Sequence, residues 1–99
     1  MRMLMKVSFD VKAGNKAIKD GELGKIMRSA IETLKPEAVY FGAEGGKRTG
    51  YFVFDLASPS DLPMVAEPFF VGLNAAVDIT PAMTVEEVTA GMERYLKSL

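Results

Sequence analysis

The chain has 99 residues, with 12 Lys and Arg against 13 Asp and Glu, a net charge of −1, and neither Cys nor His. Without Cys there is no disulfide, thiolate nucleophile or Cys-based metal site, and without His the chain lacks the commonest general base and metal ligand. The balanced charge has no basic cluster, which argues against a nucleic-acid partner, and the length suits one domain, residues 1–99, burying roughly 65% of its unfolded surface.

The opening Met1-Arg2-Met3-Leu4-Met5-Lys6 has neither the apolar run of a secretory signal nor the length of a membrane span, so a soluble cytoplasmic protein with no membrane partner is expected. From Met3 to Lys12 apolar residues alternate with polar ones: Met3, Met5, Val7, Phe9 and Val11 on one side, Lys6, Ser8, Asp10 and Lys12 on the other. That period of two predicts a half-buried strand. Asn15 is a candidate helix cap, but Gly21 and Gly24 weaken the following turns, and the firm helix begins near Glu22. There Leu23, Ile26, Met27, Ala30, Ile31 and Leu34 form a 3.6-residue stripe that Lys35-Pro36 ends.

Glu37–Gly42 and Gly50–Ala57 read as the strands of an antiparallel hairpin, joined by a glycine loop over residues 43–49 whose tip should be mobile. Ser58-Pro59-Ser60-Asp61 caps a short helix, Leu62 to Phe69, bounded by Pro63 and Pro68. Ala75–Thr80 alternates again until Pro81. Thr84-Val85-Glu86-Glu87 is a capping box that opens a last helix with Val85, Val88, Met92, Tyr95 and Leu96 facing inward.

The order β-α-β-β-α-β-α is that of an α+β, ferredoxin-like βαββαβ unit with an additional C-terminal helix. Right-handed crossovers put the first strand between the third and fourth, the second strand outside the third, and the helices on one sheet face. The covered face then holds Met5, Val7, Phe9, Val39, Phe41, Phe52, Phe54, Leu56, Val77 and Ile79. The other face carries Leu4, Tyr40, Tyr51 and Val53 beside its polar residues, too apolar to be a solvated surface. A second copy of the sheet, packed face to face about a twofold axis, is the expected cover.

The runs Ala13-Gly14-Asn15, Lys19-Asp20-Gly21, Lys35-Pro36-Glu37-Ala38, Tyr40-Phe41, Gly46-Lys47-Arg48-Thr49-Gly50, Ala66-Glu67-Pro68-Phe69-Phe70 and Pro81-Ala82-Met83-Thr84 resemble a family of small uncharacterised bacterial proteins. That family is similar to the dimeric α+β barrels, the group that includes muconolactone isomerase-like enzymes and cofactor-free monooxygenases. The resemblance implies a homodimer; any particular activity is fold-level analogy.

The candidate ligand-binding residues are Lys6, Ser8, Tyr40, Tyr51, Asp55 and Asp78, all on the second face. Inside a barrel, a carboxylate there would be pushed up by desolvation and down by Lys6, beside two phenolic donors. The cluster reads either as a ligand site or as a Lys–Asp pair offsetting its own burial. The aromatic third-strand pattern Lys47–Phe54 brushes that of RNA-recognition domains, but the stacking positions hold Thr49, Tyr51 and Lys6, so RNA is not the expected partner. Gly45-Gly46-Lys47-Arg48 precedes no helix and is a hairpin loop rather than a phosphate cradle. Phe69-Phe70-Val71-Gly72-Leu73 reads as core beneath the short helix. Asp20, Glu22, Asp61, Glu86 and Glu87 lie in separate elements, so neither metal nor cofactor is implied.

The leading functional expectation is a module that holds a small, largely apolar molecule in a dimeric α+β barrel. Its rivals are a cofactor-free isomerase or oxygenase with Asp55 or Asp78 as base and Tyr40 or Tyr51 as donor, and a homodimer with no ligand.

Overall fold

A computed structural model describes all 99 residues. In chain order the elements are β1 (Arg2–Ser8), α1 (Val11–Lys19), α2 (Glu22–Leu34), β2 (Ala38–Glu44), β3 (Lys47–Asp55), α3 (Leu62–Leu73), β4 (Ala76–Pro81) and α4 (Val85–Lys97), with a single 3-10 turn at Pro59–Asp61. The strands form one antiparallel sheet in the order β2-β3-β1-β4, as the element order implied.

β1 is shorter than its alternation suggested. Asp10 turns its carboxylate back to accept from the Ala13 amide at 2.9 Å, capping α1, so Val11 and Lys12 belong to a helix rather than a strand. Asn15, expected as a cap, lies within α1. Gly21, at φ 80°, separates α1 from α2, while the Asp20 carboxylate accepts from the Glu22 amide at 3.1 Å. Lys35 leaves α2 in the left-handed conformation just before Pro36.

The expected long hairpin loop is mostly strand. Gly45 and Gly46 both have positive φ, 63° and 77°, the pair of values a two-residue turn requires, so β2 runs on to Glu44 and β3 begins at Lys47. α3 likewise continues past Pro68 to Leu73. A mid-helix proline costs about 3 kcal/mol, but the turns beyond it bury Phe69 and Leu73 completely, and each such side chain returns roughly 1.5–3 kcal/mol.

The core lies between the sheet and α1 to α3. Met3, Met5, Val7, Phe9, Phe52 and Phe54 from the sheet side meet Ala17, Val65, Phe69 and Leu73 from the helices. Phe52 sits at its centre, its ring edge-on to Phe41 at 6.2 Å and tilted against Phe69 at 5.8 Å. Of the other residues expected inside, Val39, Leu56, Val77 and Ile79 are half-buried and Phe41 is 60% exposed, because no helix reaches the outer edge of β2.

α4 differs most from expectation. The capping box is complete, Thr84 Oγ1 accepting from the Glu87 amide at 3.1 Å and Glu87 Oε1 from the Thr84 amide at 2.9 Å. Yet Val85, Val88, Met92, Tyr95 and Leu96, expected inward, are all exposed.

Candidate functional site

The uncovered sheet face is ordered by strand register. Tyr40 pairs with Tyr51, Tyr51 with Lys6, and Lys6 with Asp78, so four of the six sequence candidates form one row across all four strands. The adjoining row is Ala38, Val53, Leu4 and Thr80, largely apolar. Polar chemistry and an apolar floor therefore lie one strand pleat apart.

The remaining two candidates are placed differently. Ser8 follows Lys6 along β1, facing Ala76 and the buried Thr49, whose hydroxyl donates to the Lys47 carbonyl at 3.0 Å. Asp55 stands opposite Arg2, four residues along β1 from Lys6, a separation of about 13 Å at the ordinary strand rise. Its carboxylate accepts from the Met1 amino group at 2.8 Å. The cross-strand pair expected between Lys6 and Asp55 is thus absent, and Lys6 does not pair with Asp78 either.

Lys6 turns instead to Glu44, with Nζ 3.5 Å from Oε1, and the Tyr51 hydroxyl donates to Oε2 of the same carboxylate. Glu44, read from sequence as a loop residue, is the hub of the cluster. The signal was present: Ala38, Tyr40, Gly42 and Glu44 keep a period of two, so extending β2 by one pleat puts Glu44 on the uncovered face. Gly42 pairs with Thr49 between the Tyr40 and Glu44 rows, and a Cβ placed there would lie 4.0 Å from the Tyr51 ring, an ordinary contact, so the phenol passes beside Gly42 on its way to Glu44.

The electrostatics follow from this geometry. The Tyr51 hydrogen bond, then the Lys6 charge, hold the Glu44 carboxyl below its ordinary range. The same hydrogen bond, with some desolvation and the Glu44 charge, raises the Tyr51 phenol. Glu44 is therefore an ionised, weak base and Tyr51 a protonated donor, neither poised near neutrality to move a proton. Lys6 retains donor capacity beyond its one contact, and the Tyr40 side chain, 69% exposed, is open above the row. This set can bind an acceptor group on a molecule whose body lies over Leu4, Val53 and Ala38.

A second polar group ends the sheet. Arg2 Nε donates to Glu37 Oε1 at 3.1 Å and Nη1 to Glu87 Oε1 at 2.9 Å, tying β1 to the strand entering the hairpin and to the first turn of α4. Both carboxylates raise the guanidinium pKa further, which leaves Arg2 a fixed charge. No three carboxylates come together as a metal site would require, and no helix is long and apolar enough to cross a membrane. No protein-family model and no curated protein matches the chain in sequence.

Proposed function

We propose that the chain is a ferredoxin-like protomer that pairs through its uncovered sheet face into a dimeric α+β barrel, and that the barrel holds a small, largely apolar molecule carrying one hydrogen-bond acceptor. The observation that carries this reading is the row Tyr40, Tyr51, Lys6 and Asp78, braced by Glu44, beside the apolar row of Ala38, Val53 and Leu4. Closing a second sheet over that face removes the patch from water and leaves the Lys6 and Tyr40 donors aimed at the interior. A few directed polar groups in an apolar lining are what fixes the orientation of a small ligand.

Binding is favoured over proton abstraction. The carboxylate in the cluster, Glu44, already accepts from the Tyr51 hydroxyl and pairs with Lys6, so its oxygens are engaged rather than free to take a proton from an activated C–H or phenol. Of the two sequence candidates for that base, Asp55 pairs with the Met1 amino group and Asp78 stands exposed at the far end of the row.

A thermal-shift screen with small phenols, aryl ketones and aromatic carboxylates tests the proposal. Compounds of at least one class should raise the midpoint of the wild-type chain, with the shift reduced in Lys6→Met and in Tyr40→Phe. No shift from any class at millimolar concentration would favour a sheet face that serves assembly alone.

A further inference from the structure

The apolar stripe of α4 has no partner in its own protomer. Val85, Val88, Met92 and Tyr95 recur at steps of three, four and three residues, a seam suited to packing on another helix. All are exposed, from 42% at Val88 to 79% at Val85, and α4 makes no substantial packing contact with any other element. It is held only at its start, by the Arg2–Glu87 ion pair and by the Ala82 amide donating to the Arg2 carbonyl at 3.1 Å. By strand alternation Arg2 belongs to the uncovered side of the sheet, where the second copy of the proposed dimer sits.

The protomer is also too extended for its mass. It exposes 6737 Å², whereas a folded monomer of 10.8 kDa exposes about 5,500 Å². Its radius of gyration is 16.0 Å, against about 13 Å for a compact chain of this length. The excess, about 1,200 Å² per chain, surpasses the ~800 Å² that each partner gives to a standard interface. It is of the size that association of two copies removes.

A receiving surface of matching character lies at the other edge of the sheet. Between α2 and the β2–β3 hairpin runs a cleft of 420 Å³, lined by Phe9, Leu23, Met27 and Phe41 with Arg48 beside them. Ile31, one turn beyond Met27 on α2, is 43% exposed. The two surfaces are apolar along their centres. The cleft's own α4 departs from β4, three strand spacings or about 14 Å away across the sheet, and none of its residues lines the cleft.

We propose that α4 is an exchanged arm: in a pair of chains, the seam of each α4 seats along α2 and the β2 edge of the second copy, and the second copy's α4 returns the contact. The proposal rests on the dimer reading above and adds to it the element that locks the dimer. It accounts for a C-terminal helix with a perfect cap, an apolar seam and nothing beneath it.

Because the chain has no Cys, one introduced Cys carries a label cleanly. The Glu93→Cys chain bearing a nitroxide is mixed with unlabelled-sulfur, 15N-enriched chain of natural sequence, and the enriched amides are read by NMR. Broadening at Leu23, Met27 and Phe41 is expected. The double variant Val88→Glu, Met92→Glu, whose altered positions are exposed in the protomer, should keep its far-UV spectrum and weaken the dimer by about 100-fold or more. A dimer of wild-type affinity in that variant, with no intermolecular broadening at those three residues, overturns the arm and leaves the sheet-face dimer standing. Broadening confined to α4 itself overturns the cleft as its seat. A wild-type chain that is monomeric overturns both readings together.

Discussion

Removing the Phe52 ring strikes where three layers meet. Phe52 is fully buried in β3, opposite Met5 and Val39 in the register, and packs against Phe41 and Phe69. Phe52→Ala forfeits the transfer free energy of the ring and leaves a cavity, together about 3–5 kcal/mol. Two aromatic contacts, each worth about 0.5–1.5 kcal/mol beyond burial, place the loss at the upper end, near 5 kcal/mol. A chain of this length has about 5–15 kcal/mol in all, so the variant should lie at the margin of folding. Urea unfolding followed by circular dichroism, at one fixed chain concentration, measures the difference. Val71→Ala, on the same α3 as Phe69 but 83% exposed, should change stability by about 0.5 kcal/mol or less. Equal midpoints for the two variants would show that β3 is out of register by one residue and that Phe52 faces outward.

Asp10→Ala removes the cap of α1 and should lower stability by about 1 kcal/mol, read as a lower urea midpoint with unchanged slope. Gly46→Ala, at φ 77° in the tight turn, should cost about 1–2 kcal/mol in the same assay. The Glu44 carboxyl, depressed by Tyr51 and Lys6, contributes stability that is complete above the ordinary glutamate range and is lost as pH falls through its lower folded value. Carbon-detected NMR titration should therefore find Glu44 moving up in Tyr51→Phe, and ultraviolet titration should find Tyr51 moving down in Glu44→Gln; no movement in either would separate the two groups.

Much of this fold is legible in the residues, and the departures have physical causes. The strand order follows from the element order, and Thr84 with Glu87 marks the start of α4 because capping is a local interaction. Alternation through Phe9 and Val11 hides the end of β1, since a single carboxylate at Asp10 switches the backbone to helix without disturbing the pattern. Gly45-Gly46 is a two-residue turn whose flanks are polar, and polar flanks resemble a loop; that resemblance concealed Glu44. Pro68 should stop a helix on propensity alone, but tertiary burial of Phe69 and Leu73 outweighs it. The inward reading of α4 failed for a different reason. An amphipathic stripe records that a face is to be covered and says nothing of whether the covering atoms belong to the same chain.

Of the site, the Tyr40, Tyr51, Lys6 and Asp78 row follows from pleat and pairing, which alternate residues specify. The direction in which Lys6 swings does not. It depends on which carboxylate lies within reach of a long flexible side chain. Asp55 was out of reach because it sits at the opposite end of β1, a separation that strand counting reveals only once the register is known.

Sedimentation equilibrium of the full chain at micromolar concentration bears most directly on whether a second copy covers the uncovered sheet face. The wild-type chain should run at twice the 10.8 kDa of a single chain, and Val53→Glu, which places a charge in the middle of that face, should shift it toward the single-chain mass. A wild-type chain that stays at 10.8 kDa across the concentration range would contradict the barrel, the ligand site within it and the exchanged helix alike.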